Sequence, residues 1–212
     1  MKFGIIKERK NPPDRRVVFS PEELVALQQK FPKAEIEVES SDIRVFPDAA
    51  YEALGLTVKE DISDCEVFFG VKEIPVEYLI PNKKYFFFSH TIKKQPYNRA
   101  LLQAVLNKNI ELYDHETIVD ANNKRLIGFG RYAGLVGAYN GFRGFGIKYD
   151  LFQLPKAETL SGKEDLIARI KRQTLPNIKI VVTGHGKVGL GVKEILDGVK
   201  IKEVSPEDFL TK

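Results

Sequence analysis

The sequence predicts an α/β fold with a mainly parallel sheet, followed by the opening of a second α/β unit. Three observations carry this. From Phe3 to Phe129, short apolar runs bounded by turn residues alternate with longer stretches of helical period. Near Ala133 that alternation gives way to a glycine-studded helical stretch. From Ile178 an apolar run leads directly into G-H-G-K-V-G and then into a new helical pattern.

Phe3 to Ile6 reads as a strand. Ser20-Pro21-Glu22-Glu23 has the form of a helix start, with serine as cap, proline in the first turn and Glu23 closing a capping box. Leu24, Leu27 and Phe31 continue one face of that helix. Ile36 and Val38 alternate with glutamates, the pattern of a half-buried strand. Tyr51 and Leu54 belong to a short helix stopped by Gly55. Val67-Phe68-Phe69 and Tyr85 to Phe88 are compact apolar runs suited to buried strands. A helix is expected over Tyr97 to Leu106, a strand over Ile110 to Tyr113, and another strand near Leu126 to Phe129. The single cysteine, Cys65, opens the run C-E-V-F-F and reads as a small buried hydrophobe.

Gly134, Gly137, Gly141 and Gly144 fall on one helical face, where close packing against another backbone is the simplest explanation of their cost to helix stability. A charged helical stretch with Leu166, Ile167 and Ile170 follows, then a strand at Ile178 to Thr183. The expected organisation is 1–132 as a substrate domain, 133–176 as connecting helices, and 177–212 as the first part of a dinucleotide-binding Rossmann domain. In that last part, Gly184, Gly186 and Gly189, with Lys187 and Val188 between them, form a strand–turn–helix element. Such a turn lets a pyrophosphate approach the backbone at a helix N-terminus. Glu203, nineteen residues after Gly184, is the candidate for the acidic ribose ligand. A glycine-rich turn without a ligand is the alternative.

Composition narrows the function. Hydrophobic residues make up 43% and charged residues 29%, the values of an ordinary globular chain. The net charge of +4 arises from 33 basic and 29 acidic residues spread along the sequence, which argues against a nucleic-acid surface. One cysteine forbids an internal disulfide. The N-terminus has no signal-peptide pattern, and no apolar run reaches membrane-spanning length, so no membrane partner and a cytoplasmic location are expected. With His90, His115 and His185 the only histidines, no spacing suggests a metal. No G-x-S-x-G elbow is present.

Four positions in the first domain stand at strand ends or beside a capped helix, where ligands of open parallel sheets bind. They are Arg16 after N-P-P-D-R, Lys72 after the strand V-F-F-G-V, His90 after F-F-F-S, and Glu116 in L-Y-D-H-E-T. From composition alone, each reads first as a structural charge or a satisfied core residue.

Together these segments resemble the family of alanine dehydrogenase, the transhydrogenase first domain and lysine-forming saccharopine dehydrogenase. Arg16-Val17-Val18-Phe19-Ser20-Pro21 resembles the family's R-V-A-L-T-P segment, and Gly70-Val71-Lys72-Glu73-Ile74-Pro75 its V-K-E-P segment. Ser89 to Gln95, Leu112-Tyr113-Asp114-His115-Glu116 and Phe129-Gly130-Arg131-Tyr132-Ala133-Gly134 are similar to the saccharopine branch. The resemblance implies reversible reductive condensation of lysine with 2-oxoglutarate. Lys72, His90 and Glu116 would be catalytic, and Arg16 and Lys93 would bind substrate. Arg131 carries no role from the resemblance and is a substrate-binding candidate because a second arginine would suit a dicarboxylate. The implied cofactor is NAD, with NADP left open, and the implied partners are small amino and 2-oxo acids, with a homo-oligomer left open. Pyruvate plus ammonia, as in alanine dehydrogenase, is the alternative reaction, and a non-catalytic NAD-binding regulatory module the alternative class. The resemblance also implies that 177–212 supplies only part of the nucleotide domain. The 212-residue chain is therefore expected to be inactive alone, and the stretch after Thr183 to leave Ile180, Val181, Val182 and Ile195 partly exposed, held by a second copy of the chain or else poorly ordered.

Overall fold

The computed structural model describes residues 1–211, and the chain divides into two compact units, Met1–Gly128 and a second beginning at Phe129. In the first, β1 (Lys2–Ile5), α1 (Pro21–Lys30), β2 (Glu35–Glu39), α2 (Asp48–Glu52), β3 (Thr57–Lys59), β4 (Val67–Lys72), β5 (Lys84–Phe88), α3 (Arg99–Asn107) and β6 (Glu111–Asp114) follow one another. The six strands are parallel and ordered β3-β2-β1-β4-β5-β6. This is the doubly wound order, and its direction reverses between β1 and β4, where such sheets open a crevice at the strands' C-terminal ends.

Adjacent side chains of β4 point to opposite faces, so Phe68 and Phe69 serve different cores. Phe68 joins Tyr85, Phe87, Leu101 and Val105. Phe69 packs against Ile5, Leu24, Val38, Tyr51 and Leu56, which come from β1, α1, β2, α2 and the turn after α2. The α1 start forms as its sequence dictates. Ser20 accepts from the Glu23 N–H, and the Glu23 carboxylate accepts from the Ser20 N–H at 2.7 Å. Gly55, at φ +78°, ends the turn after α2 in the left-handed region.

Two expectations for this unit fail. β2 is not half-buried: Glu37 and Glu39 are buried, and their charges are met from neighbouring strands and loops. Glu37 Oε1 receives Lys2 and Lys59 at 3.1 and 2.6 Å, while Glu39 pairs with Arg9 and accepts the Lys7 N–H. An alternating charged pattern therefore does not mark a wet face when cations are brought in from elsewhere in the fold. Near Leu126 to Phe129 no strand forms. The Asp120 carboxylate accepts from the N–H groups of Asn122 and Lys124, folding the segment back on itself. Only Val119 and Arg125 pair, in an isolated antiparallel bridge.

The second unit contains α4 (Gly130–Lys148), α5 (Lys163–Lys171), α6 (Lys187–Gly198) and α7 (Pro206–Thr211). α4 and α5, read from sequence as connectors, share one core with α6 through Leu135, Tyr139, Phe142, Leu166, Ile170 and Ile195. Ile195 is thus fully buried rather than partly exposed. The expected strand at 178–183 is not formed, and Val181 is 69% exposed. An apolar β run without a neighbour to complete its ladder has no reason to adopt strand pairing.

The α4 glycines divide in a way that spacing could not show. A Cβ on Gly134 would lie 2.1 Å from the Val188 carbonyl oxygen and 2.9 Å from Gly191 Cα, so α4 and α6 touch backbone to backbone there. At Gly137, Gly141 and Gly144 a Cβ would meet nothing within 4 Å. The packing explanation therefore holds for Gly134 and not for the other three. No described helix is long and apolar enough to cross a membrane.

Candidate functional site

Four of the six strands, β1, β4, β5 and β6, are consecutive neighbours in the sheet, and the loops at their C-terminal ends carry the candidate residues. Lys72 is the last residue of β4 and stands in register with Phe88 of β5. His90 lies two residues past Phe88, its ring 6.3 Å from the Phe88 ring centroid. Glu116 follows β6 by two residues, and Arg16 closes the loop after β1.

The His90 end is built most fully. His90 Nδ1 is 2.8 Å from Glu116 Oε2 and 3.1 Å from Lys93 Nζ, and Lys93 Nζ is also 3.3 Å from Glu116 Oε1. Nδ1 cannot both donate to the carboxylate and accept from the ammonium. When Nδ1–H faces Glu116, Lys93 is satisfied by the other carboxylate oxygen and Nε2 carries the free lone pair. Burial pushes the Glu116 carboxyl up, but hydrogen bonds from His90 and Lys93, with their charges, outweigh it and hold it below the ordinary range. His90 itself sits in the left-handed region at φ +58°, uncommon for a residue with a side chain. Asn98 Nδ2 donates to the His90 carbonyl at 3.0 Å, and buried Asp114 takes the Ser89 hydroxyl and, at 2.9 Å, the Glu116 N–H. One carboxylate thus fixes the backbone on both sides of the His90–Glu116 pair.

At the β1–β4 end, Arg16 forks onto Asp14, with Nε at 2.9 Å and Nη2 closer still. That bonding holds the Asp14 carboxyl below its usual range against the opposing effect of burial, and the Lys72 charge acts in the same direction. Arg16 and Lys72 therefore share one carboxylate neighbour. Val45 N–H donates to the Arg15 carbonyl at 2.8 Å and pins this loop. Lys10 bonds Glu73, the residue after Lys72, at 2.5 Å.

The remaining candidates belong to the second unit. Arg131, on α4, forks onto Glu194 at 2.5 and 2.6 Å. Gly184 has φ +87°, Gly186 caps α6, and Lys187, Val188 and Gly189 form its first turn. A Cβ on Gly189 would lie 2.2 Å from the Gly184 carbonyl oxygen, so the turn has no room for a side chain at that position. Glu203 is exposed and paired with Lys193.

Sequence reasoning missed Glu8, Asp114 and Arg125 in this region. Arg125 Nη1 is 3.5 Å from Glu116 Oε1, and Glu8 is buried against the end of β4. Apart from the Glu116 N–H, two positions from Asp114, their partners lie 9 to 64 positions away, and only the acidic residue just past a strand in K-E-R-K was a local signal. Among the described residues, Glu37, Asp64 and Cys65 form one cluster with metal-type donors. Lys2 and Lys59 already balance its carboxylates, and burial together with Glu37 pushes the Cys65 thiol up to about 12, which keeps it protonated.

Residues 4–136 match the family model for the alanine dehydrogenase/PNT N-terminal domain. The chain is 31% identical over 214 residues to alpha-aminoadipic semialdehyde synthase of Arabidopsis thaliana, covering 91% of this chain and 20% of that protein. It is 30% identical over 226 residues to the mitochondrial alpha-aminoadipic semialdehyde synthase of Bos taurus, covering 98% and 24%. Against the saccharopine dehydrogenase (NAD(+), L-lysine-forming) of Yarrowia lipolytica, identity is 27% over 186 residues, covering 80% and 50%. The chain thus spans between a fifth and a half of the length of these relatives. Among solved structures, an L-alanine dehydrogenase superposes with a TM-score of 0.66 at 19% identity, over 94% of this chain and 52% of that one. A transhydrogenase from Sinorhizobium meliloti gives 0.65 at 18% identity, over 94% and 56%. These two likenesses concern the fold.

Proposed function

The chain belongs to the alanine dehydrogenase/PNT N-terminal domain family, and from that premise we propose that it is the substrate-binding front part of a saccharopine-type, NAD(P)-dependent amino-acid dehydrogenase. The reaction is the reversible condensation of lysine with 2-oxoglutarate and reduction of the resulting imine. The observation that carries this reading is the His90–Glu116–Lys93 cluster, with His90 Nδ1 2.8 Å from a buried carboxylate at the C-terminal ends of β5 and β6, which follow β4 and its last residue Lys72 in the sheet.

Arg16 binds the oxo-acid carboxylate, its guanidinium oriented beforehand by Asp14. His90 moves the proton at Nε2 as the carbon–nitrogen bond is made or reduced, and Glu116 holds the ring through Nδ1 and stabilises its protonated form. Lys72 serves as the second proton-handling group, and Lys93 balances the Glu116 charge when His90 is neutral. The turn from Gly184 to Gly189 fits the pyrophosphate of a nicotinamide dinucleotide, which supplies the hydride when bound. Arg131 and Glu203 are the second-unit candidates for the second substrate carboxylate and the ribose.

The test is an assay of the full-length protein with NADH or NADPH, 2-oxoglutarate and lysine, set against pyruvate and ammonia. Oxidation of the cofactor that depends on both lysine and 2-oxoglutarate supports the reading. Activity with pyruvate and ammonia alone replaces it with alanine dehydrogenase, and turnover with neither pair points to a regulatory module.

A further inference from the structure

The end of β4 departs from regular pairing. Phe69 is in register with Phe86, but Lys72 is in register with Phe88, so the ladder slips by one residue between them. On the other side, the Ile6 N–H, just past β1, donates to the Phe69 carbonyl at 3.0 Å. The backbone groups of Gly70, Val71 and Lys72 beyond that point need partners, because unpaired buried amides are costly.

Two buried titratable side chains supply them, one from each flank. Glu8, just past β1, accepts the Val71 N–H on Oε1 at 2.6 Å and the Lys72 N–H on Oε2 at 2.9 Å. His115, just past β6, reaches across the end of β5 and places Nε2 3.1 Å from the Gly70 carbonyl oxygen. A carbonyl can only accept, so His115 carries its proton on Nε2. Its Nδ1, buried with no partner among the described residues, is the bare acceptor. Neither residue takes part in the proton handling described above.

We propose that Glu8 and His115 are positioning residues that clamp the slipped tip of β4 and so fix where Lys72 stands relative to His90. The catalytic part of this rests on the function proposed for Lys72. Both side chains act in defined protonation states, Glu8 as the carboxylate and His115 as the neutral Nε2–H tautomer. Burial pushes the Glu8 carboxyl above its ordinary range, only partly offset by the two N–H groups and by the Arg16 charge, and Asp14 adds to the upward push.

The test reads the backbone first. In an ¹⁵N-labelled sample of the 212-residue chain, the Val71 and Lys72 amide protons should lie downfield. They should move together in one acid titration, with a midpoint above that of an ordinary glutamate. Glu8→Gln offers one acceptor oxygen in place of two, so exchange of at least one of these amides should accelerate about tenfold or more, while Val67 and Phe68 stay protected. His115→Phe should shift the Gly70 carbonyl resonance and leave Val67 unmoved. In the full-length enzyme, Glu8→Gln should lower kcat by roughly 10- to 100-fold, more than it raises KM for the oxo acid. Wild-type Val71 and Lys72 amide protons that neither lie downfield nor respond to acid overturn the clamp, whether or not the variant folds. Amides that respond while kcat is unchanged overturn the positioning role. If the wild-type enzyme shows no reductive condensation at all, the proposed function falls and the clamp is judged on the amide signals alone.

Discussion

Identical substitutions on one helix should have opposite signs. Replacing a helical glycine by alanine gains roughly 0.5–1 kcal/mol where the new methyl meets open space, because the unfolded chain loses freedom and helix propensity improves. At Gly141 a Cβ meets nothing within 4 Å, so Gly141→Ala should be stabilising by about that amount. At Gly134 the Cβ would stand 2.1 Å from the Val188 carbonyl oxygen, 2.8 Å from Val192 N and 2.9 Å from Gly191 Cα. These are backbone atoms of α6, so no rotamer change can clear them. The helices must part by more than 1 Å, and the packing of Leu135, Tyr139 and Ile195 between them loosens. Overpacking of this kind typically costs about 1–3 kcal/mol and occasionally more, which exceeds the propensity gain. Urea titration of the 212-residue chain, followed by helical circular dichroism, measures both variants against wild type. The midpoint should rise for Gly141→Ala and fall for Gly134→Ala. Two shifts of the same sign would refute the backbone contact between α4 and α6.

Other expectations follow from the site and the first unit. In the full-length enzyme, His90→Gln should reduce kcat by ~10²- to 10⁴-fold with little change in substrate affinity, and near-normal turnover would remove His90 from the catalytic group. Arg16→Ala should act mainly on KM for the oxo acid, and an unchanged KM with that substrate would contradict carboxylate binding there. His115 is held neutral by burial, which lowers its pKa more than the Gly70 carbonyl and the Asp114 charge raise it. Its folded pKa is thus below the unfolded value of about 6.5, so the unfolded state takes the proton first. Its contribution is complete above that value and declines as pH falls toward the lowered folded pKa. His115→Phe should flatten the decline in stability as pH falls below about 6.5, and thermal melts at a series of pH values measure it. Ser20→Ala removes one half of the α1 capping box and should cost ~1 kcal/mol, read as a lowered melting temperature of the first unit.

The sequence by itself determined what depends on neighbours a few residues apart. The Ser20–Glu23 capping box, the Gly55 stop and the turn from Gly184 into α6 all rest on contacts within about one helical turn. Their residue types therefore announce them. Motif likeness carried the positions of Arg16, Lys72, His90 and Glu116 to the ends of neighbouring strands. Only the tertiary structure decided whether β-prone segments found partners. Val67 to Lys72 lies between β1 and β5 and forms a strand, whereas Ile178 to Thr183, equally apolar, has no strand beside it and forms none. Charge was equally opaque from the sequence, since Glu37 and Glu39 read as solvent-facing until Lys2, Lys59 and Arg9 arrive from 22 to 35 positions away. Glu8 illustrates the reason most directly. Its bonds to Val71 and Lys72 span more than 60 residues, and they exist because the doubly wound order sets β1 beside β4. Hydrogen bonds and ion pairs between strands are fixed by the order in which strands pair, and no local window of sequence contains that order.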